Sequence, residues 1–334
     1  MQQSSGDMPP LLISHSLVGR PTIAEINIFL QSLLPVRQGD VAFQYHTPRS
    51  GLINPSTARP AHVILSITPT VGFYNAVTNA AAKSESARSP LPLLAFLHRP
   101  WALDRRRVPR SATIVSSHKA FDEVLTVGNN AALATKLNMA KDSAAVIQGY
   151  KGDPDRTIGI VGPLNTTTTT RKVLKSQLEM EFKSFEGVFG FKEDDEGVGE
   201  LAASKESEIR CVAIMNAFHP EEVDTVAELA VGMGLAPSMA DCRGVLYLTG
   251  AVREPGLEAA LQKGMAVVCV GHRTCEEWGI RYLASIFRDR WPGLQVQEIL
   301  EAEEPRVENS SSKIQQTPYL APANLIEKEI DSIK

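Results

Sequence analysis

Seven histidines occur in the 334 residues, and three of them, His98, His118 and His272, stand at the downstream end of an apolar run. In open α/β sheets the carboxyl ends of strands are where ligands and catalytic groups gather, because the following loops surround a crevice there. One strand-end histidine is ordinary structure; three in that place form a pattern. Two of them have a carboxylate four residues on, His118 with Asp122 and His272 with Glu276. Residues i and i+4 share one face of a helical turn, so an imidazole nitrogen and a carboxylate oxygen from each pair can reach one ion. Mixed nitrogen and oxygen ligation suits Zn, Fe, Mn or Ni better than Mg or Ca. A cluster of this kind shared between two halves of a chain is also how two ions are held about 3.5–4 Å apart for hydrolysis.

Other residues carry less. The basic run Arg105, Arg106 and Arg107, with Arg110, lies in the loop between two histidine-bearing strands. It reads equally as a phosphate-binding loop and as a solvated one. Cys269, His272 and Cys275 have a C-x-x-H-x-x-C spacing, but Cys269 sits inside AVVCV, where a thiol packed in a strand is the better reading. His15 and His46 read as surface residues, His62 as the start of a strand, and His219 with Pro220 as the approach to a helix. Thr166 to Thr170 reads as a loop and N-cap, since hydroxyls accept from the free N–H groups of a following helix, Arg171 to about Phe185. Ile280, Leu283 and Phe287 form a core-facing stripe, and 294–299 alternates apolar and polar residues as a half-buried strand does.

Placing these histidines calls for a repeated set of elements, and the sequence contains one. Strand-like 61–68 precedes an amphipathic stretch, Val71 to Lys83; strands 91–98 and 111–118 follow, then a helical segment to about Leu137. In the second half, strand 209–216 precedes helix 221–233, strands 244–250 and 264–272, and a further helix. From His98 to His118 is 20 residues, and from Gly250 to His272 is 22. The expected fold is therefore α/β: two similar α/β domains from an internal duplication, sheets flanked by helices, with the metal site in the cleft between them. The boundaries are a tail at 1–20, a first domain at 21–150, a second at 151–301 and a polar tail at 302–334. Lys151 to Pro163, rich in Gly, Pro and Asp, reads as the link, and Glu193 to Glu200 as an acidic surface insertion. At the end of the chain, Leu325, Ile326, Ile330 and Ile333 have near-helical spacing, which leaves a docking helix over 323–334 open.

Composition bounds the function classes. With 34 Lys+Arg against 38 Asp+Glu the net charge is -4, which argues against a surface built on counterion release from nucleic acid. Hydrophobic content of 43% with 22% charged residues is ordinary for a globular protein. Four cysteines are too few for a disulfide scaffold and read as reduced thiols. No apolar run approaches the ~20 residues of a membrane span, and the start lacks a basic region followed by an apolar one. The expectation is a cytoplasmic protein with no membrane or direct nucleic-acid partner, nuclear entry being left open, and the N-x-[ST] match at Asn165 carries no meaning.

Four segments together resemble the Nif-three-like family of dinuclear metal-centre proteins. GHRTCEEWGIRYLASIFRDRWPGLQVQEI (271–299) is similar to its closing signature, in which Gly-His, Thr-x-Glu, a Gly and a helix follow one another. SSHKAFDEV (116–124) is similar to the Ser-x-His-x-x-x-Asp block, and LHRPW (97–101) to the His-His-Pro block; TGAVREPGLEAALQKG (249–264) fits the strand-turn-helix before the last motif. The resemblance spans about residues 21–300. It implies that His98, Asp122, His272 and Glu276 are metal ligands, Glu276 bridging, with one or two divalent ions per chain and His118 beside them as general base. It also implies a toroidal hexamer and either of two functions. One is a metal-dependent hydrolase acting on a nucleotide or phosphorylated small molecule, GTP cyclohydrolase-like, with Arg105 to Arg107 on the phosphate. The other is a non-catalytic protein that binds a transcriptional co-regulator and keeps a structural or vestigial metal site. The sequence departs from the family at Arg99, where a second consecutive His is expected. A guanidinium does not coordinate a cation, so that position leaves open one ion rather than two.

Overall fold

The apolar runs of the sequence become strands whose side chains are buried on alternate faces, and this produces two sheets covered by helices. The structure, a computed structural model, describes residues 20–48, 53–85, 92–165, 169–191 and 208–302. The expectations for the first 19 residues, the acidic insertion at 193–200 and the segment 303–334 with its docking helix lie outside these residues. The described residues form one compact unit.

The first sheet is built from β1 (Gln44–His46), β2 (His62–Ser66), β3 (Leu93–Leu97), β4 (Ala112–Ser116) and β13 (Gln295–Ile299), in the order β1-β4-β3-β2-β13. The last four of that order run parallel and β1 is antiparallel to β4. Strand β3 is buried at every position, as expected of a parallel strand covered on both sides. Val63, Leu65, Leu94, Phe96 and Val115 pack on one face; Ile64, Leu93, Ala95, Leu97 and Ile114 pack on the other. Over the first face lies α1 (Ile23–Leu33), opened by a capping box in which Thr22 Oγ1 accepts from the Glu25 N–H and the Glu25 carboxylate accepts from the Thr22 N–H. Helix α2 (Val71–Glu85) covers the other face through Phe73, Tyr74 and Val77.

The second sheet has the order β5-β6-β10-β11-β12-β8. Its strands are β5 (Ala145–Tyr150), β6 (Asp153–Pro163), β8 (Gly187–Phe189), β10 (Cys211–Met215), β11 (Val245–Thr249) and β12 (Ala266–Cys269). Here β10, β11 and β12 are parallel and the three others antiparallel to their neighbours. A small ribbon pairs β7 (Thr169–Thr170) with β9 (Glu208–Ile209). Thr170 caps α5 (Arg171–Glu181) by accepting from the Val173 N–H, and α6 (Pro220–Gly232) and α7 (Glu254–Gln262) follow β10 and β11. Each sheet thus contains three neighbouring parallel strands contributed in chain order.

Several expectations change. The stretch 151–163 is not a linker but strand β6, which closes a hairpin with β5. Only Lys151, at φ 50, and Gly152, at φ 80, make its turn; Asp153, Asp155, Gly159 and Gly162, which suggested a link, lie within the strand, and residues from Thr157 to Gly162 are buried. Strand β5, placed before the expected boundary at 150, belongs to the second sheet, and β13, from the second half, belongs to the first. The helical segment expected to reach Leu137 is two short helices, α3 (Lys119–Val124) and α4 (Ala131–Lys136), the second capped by Asn130. Helix α5 stops at Glu181, where Phe182 turns extended. Finally, α8 (His272–Arg290) leaves the second sheet and packs Ile280, Leu283, Ala284 and Phe287 under the first, against Ile23, Ile26 and Leu30 of α1. No helix of the described residues is long and apolar enough to cross a membrane.

Candidate metal centre

Three strand ends bring the chemistry-bearing side chains together. His98 directly follows β3, and its backbone N–H donates to the Ser66 carbonyl (3.1 Å), which extends the β2–β3 pairing and fixes where the imidazole starts. His118 stands at the start of α3, two residues after β4, without capping it by its side chain; Asp40 Oδ2 accepts instead from the His118 N–H at 3.4 Å and the Lys119 N–H at 3.0 Å. Asp122 is one turn further on. From the second sheet, β12 ends at Cys269, and two residues on Gly271 precedes α8 with a φ of 90° that is costly for any residue with a Cβ; His272 and Glu276 then form the first turns of α8.

The side chains converge on one point. His98 Nε2 lies 3.3 Å from Asp122 Oδ1 and 3.2 Å from Glu276 Oε1. His118 Nδ1 is 3.8 Å from Asp122 Oδ2, and His272 Nε2 is 3.3 Å from Glu276 Oε1. Burial is graded: His98 and Glu276 are 0% exposed, Asp122 13%, His118 30% and His272 64%. The five residues therefore run from the interior to solvent. His98 packs against the Phe121 ring at 4.4 Å and the His118 ring at 4.8 Å, and Trp101 sets its edge on His118 at 4.8 Å.

The electrostatics are those of a site that wants a cation. His98 Nδ1 is 3.1 Å from the Ser117 carbonyl oxygen, an acceptor only, so Nδ1 carries a hydrogen and Nε2 in the neutral ring is a lone pair. That lone pair faces two carboxylates. His98 Nε2, His118 Nδ1 and both Glu276 oxygens are buried without a well-aligned hydrogen bond, an arrangement native interiors rarely tolerate without a reason. In the protein alone the conflict is resolved by a proton. Burial opposes charge on His98, but Asp122 and Glu276 outweigh it and raise its pKa to about 9. Burial likewise disfavours the Glu276 carboxylate, yet His272 and His98 hold it well below the usual carboxylate range. His272 is raised, chiefly by its bond to Glu276, and His118 is lowered, chiefly by burial. A divalent ion meets the same need better than one proton, because all the facing atoms are ligand types for it. His98, His118 and Asp122 offer ligand atoms that lie within 4.8 Å of one another, so this buried group can hold an ion. Glu276 and His272 stand beside it.

The other candidates fall elsewhere. Arg105, Arg106 and Arg107 form a single 3-10 turn between β3 and β4. Arg105 donates to the Tyr45 carbonyl, Arg106 pairs with Asp104, and the Arg107 guanidinium stacks 3.8 Å over Tyr74. Their described partners are thus local ones and not the imidazole–carboxylate cluster. Cys269 and Cys275 are buried thiols, and Cys275 donates to the His272 carbonyl at 2.8 Å. Two contributors carried no local signal. Asp40 acts on a turn 78 residues away in the chain. Arg99, one residue after His98, lays Nη2 3.3 Å from Glu276 Oε2, a contact that only the fold creates.

Comparison with known proteins agrees with this architecture. Residues 107–305 match the model of the Duf34/NIF3 (NGG1p interacting factor 3) family. No protein of curated function matches the sequence. Among solved structures, the protein ybgI, described as of unknown function, superposes with a TM-score of 0.52 at 16% identity, covering 85% of this chain and 100% of its own. Reduced HcgD from Methanocaldococcus jannaschii gives 0.51 at 16% identity over 84% and 99% of the two chains. A Bacillus cereus protein related to NIF3 gives 0.50 at 12% identity over 86% and 99%. At such identities the likeness speaks for the fold; chemistry has to be argued from the site.

Proposed function

Because the chain belongs to the Duf34/NIF3 family and gathers the imidazoles and carboxylates described above, we propose that it is a divalent-metal-dependent hydrolase. Its substrate would be a nucleotide or phosphorylated small molecule, in a reaction of the GTP cyclohydrolase kind. The observation that carries this reading is the His98 Nε2 lone pair, fully buried and facing Asp122 Oδ1 and Glu276 Oε1 at 3.3 and 3.2 Å. His98, His118, Asp122 and Glu276 would hold the ion, and the two-nitrogen, carboxylate-oxygen set fits Zn, Fe, Mn or Ni. When bound, such an ion supplies Lewis acidity and makes hydroxide accessible near neutral pH.

The chain's own residues divide the remaining work. In this reading His118 is counted with the ligands, so the base role passes to His272, whose Nε2 lies 3.3 Å from Glu276 Oε1 and whose ring is 64% exposed. Among the three arginines, Arg105 and Arg107 are engaged by Tyr45 and Tyr74, so this reading gives a phosphate to Arg106, which is 92% exposed. A hexamer, as the resemblance implies, would be the assembly carrying these sites.

The test is elemental mass spectrometry of untagged protein beside His98→Ala and Asp122→Asn, together with chromatographic assay of GTP hydrolysis for wild type and Glu276→Ala. Metal present in wild type and lost in the variants, with turnover abolished in Glu276→Ala, is the expected result. Wild-type protein without metal, or undiminished turnover in Glu276→Ala, would sink the hydrolase reading. The second reading, a protein that binds a transcriptional co-regulator, draws support from Arg99, which already places a permanent charge on Glu276. Under it, deleting 303–334 removes partner binding while metal content stays the same.

A further inference from the structure

We infer that the centre is built for a single ion, with the Arg99 guanidinium standing in for a second cation on Glu276. This rests on the metal-site reading above and goes beyond it by fixing how many ions the site takes. Glu276 has no solvent exposure, and its two oxygens face different partners. Oε1 lies 3.2 Å from His98 Nε2 and 3.3 Å from His272 Nε2, while Oε2 lies 3.3 Å from Arg99 Nη2. A carboxylate that bridges two ions gives one oxygen to each. Here one of the two faces a guanidinium, which has only donors, stays charged at all accessible pH values and coordinates nothing.

Arg99 is not a loosely placed surface residue. Its backbone N–H donates to the Ile67 carbonyl at 2.7 Å, the next rung after the bond from His98 to Ser66, so the side chain starts from a point fixed by the first sheet. Its guanidinium end reaches the only fully buried carboxylate of the cluster while the side chain keeps 25% exposure, which places it at the outer side of Glu276. A second divalent ion at Oε2 would have to displace this contact and then sit beside a like charge in a poorly solvated setting, where such repulsion is strong. The first ion meets no such obstacle, because Oε1 faces His98 Nε2, which Asp122 Oδ1 also meets at 3.3 Å. Arg99 acts through Glu276 and is a positioning residue: it holds the carboxylate as a one-oxygen ligand.

Stoichiometry and spectroscopy with Mn2+ read this directly, without reference to turnover. Wild-type protein, Arg99→Lys and Arg99→His are freed of metal, titrated with Mn2+ and followed by elemental analysis and electron paramagnetic resonance. Wild type and Arg99→Lys are expected to stop at one ion per chain with the spectrum of isolated Mn2+. Arg99→His, which puts a ligand where the guanidinium was, is expected to take up a second ion and to show spin coupling between the two. Two tightly held ions in wild type, or an Arg99→His variant that folds and stays at one, would overturn the inference while leaving the metal site intact. No bound ion in any of the three would instead remove the metal-site reading on which it rests. If Arg99→His does not fold, the wild-type count decides: one supports the inference and two overturn it.

Discussion

Burial and charge pull His98 in opposite directions, and the outcome sets how the site responds to pH. The carboxylates prevail, so His98 holds a proton with a pKa of about 9 in the metal-free protein. An ion that binds Nε2 must expel that proton. Below pH 9 the proton stabilises the metal-free site and competes with metal; above it the competition ends. Apparent affinity should therefore climb about tenfold per pH unit for one displaced proton and level off near pH 9. Competition with a chromophoric chelator between pH 6.5 and 9.5 measures the slope, and a flat profile would contradict a ligand role for His98. The same burial acts on the thiols. It pushes Cys211 and Cys269 up to about 12 and raises Cys242 and Cys275 as well. At pH 8 the thiolate of Cys211 is then on the order of 1 part in 10,000. Iodoacetamide should label none of the four in folded protein and all four in denaturant, as counted by intact mass; labelling of native protein would contradict the burial described.

Helices α3 and α8 carry Asp122 and Glu276, and the contact between them sets the spacing of these carboxylates. Gly279, one turn after Glu276, makes the contact close: a Cβ there would meet the Leu125 carbonyl oxygen at 2.5 Å and the Phe121 ring at 2.7 Å. Gly279→Ala must push the helices apart, at a cost of about 1–3 kcal/mol typical of overpacking. Because the shift acts on both carboxylate-bearing helices, metal affinity should fall at least tenfold alongside the melting temperature; a variant matching wild type in both would show that the crossing does not control the site. Trp101 gives a second handle at this scale, since its edge meets His118 at 4.8 Å. Metal binding should change tryptophan emission in wild type and not in Trp101→Phe, where the buried Trp278 remains as internal control. An equal change in both would place the ion away from His118. The elements behind these sites were legible in the sequence where apolar runs are long and end in a histidine, as with β3, β4 and β12. His98, His118 and His272 were singled out that way, and Asp122 and Glu276 by standing four residues after the last two; the choice of ligands among them came only from the resemblance. Strand β6 was not legible, because Gly152 in its turn and the Asp, Pro and Gly residues within it masked a buried run. Arg99 on Glu276 and Asp40 under α3 had no local pattern at all, being contacts across 177 and 78 residues of chain that packing alone decides.

At the scale of the molecule, the chain does not divide where its sequence repeats. The pattern of strands and helices suggests a break near residue 150, yet β5 crosses into the second sheet before that point and α8 with β13 returns to the first after it. The return is energetically central to the first half. Ile280, Leu283, Ala284 and Phe287 fill the face of its sheet beside Ile23, Ile26 and Leu30, and β13 pairs along the whole of β2. Without them, β2 would be an exposed edge of apolar residues, and such an edge invites aggregation. The imidazole–carboxylate cluster has the same dependence, since His98, His118 and Asp122 come from one side of residue 150 and His272 and Glu276 from the other. Residues 20–302 should therefore unfold as one cooperative transition, with far-ultraviolet circular dichroism and tryptophan emission giving coincident curves in urea. A fragment ending at residue 150 should be insoluble or unfolded, and adding the complementary fragment 151–302 should restore structure and metal uptake together. Two separated transitions, or a 21–150 fragment with native-like dispersion on its own, would mean that the first sheet is stable without α8 and β13 and that the halves are independent domains.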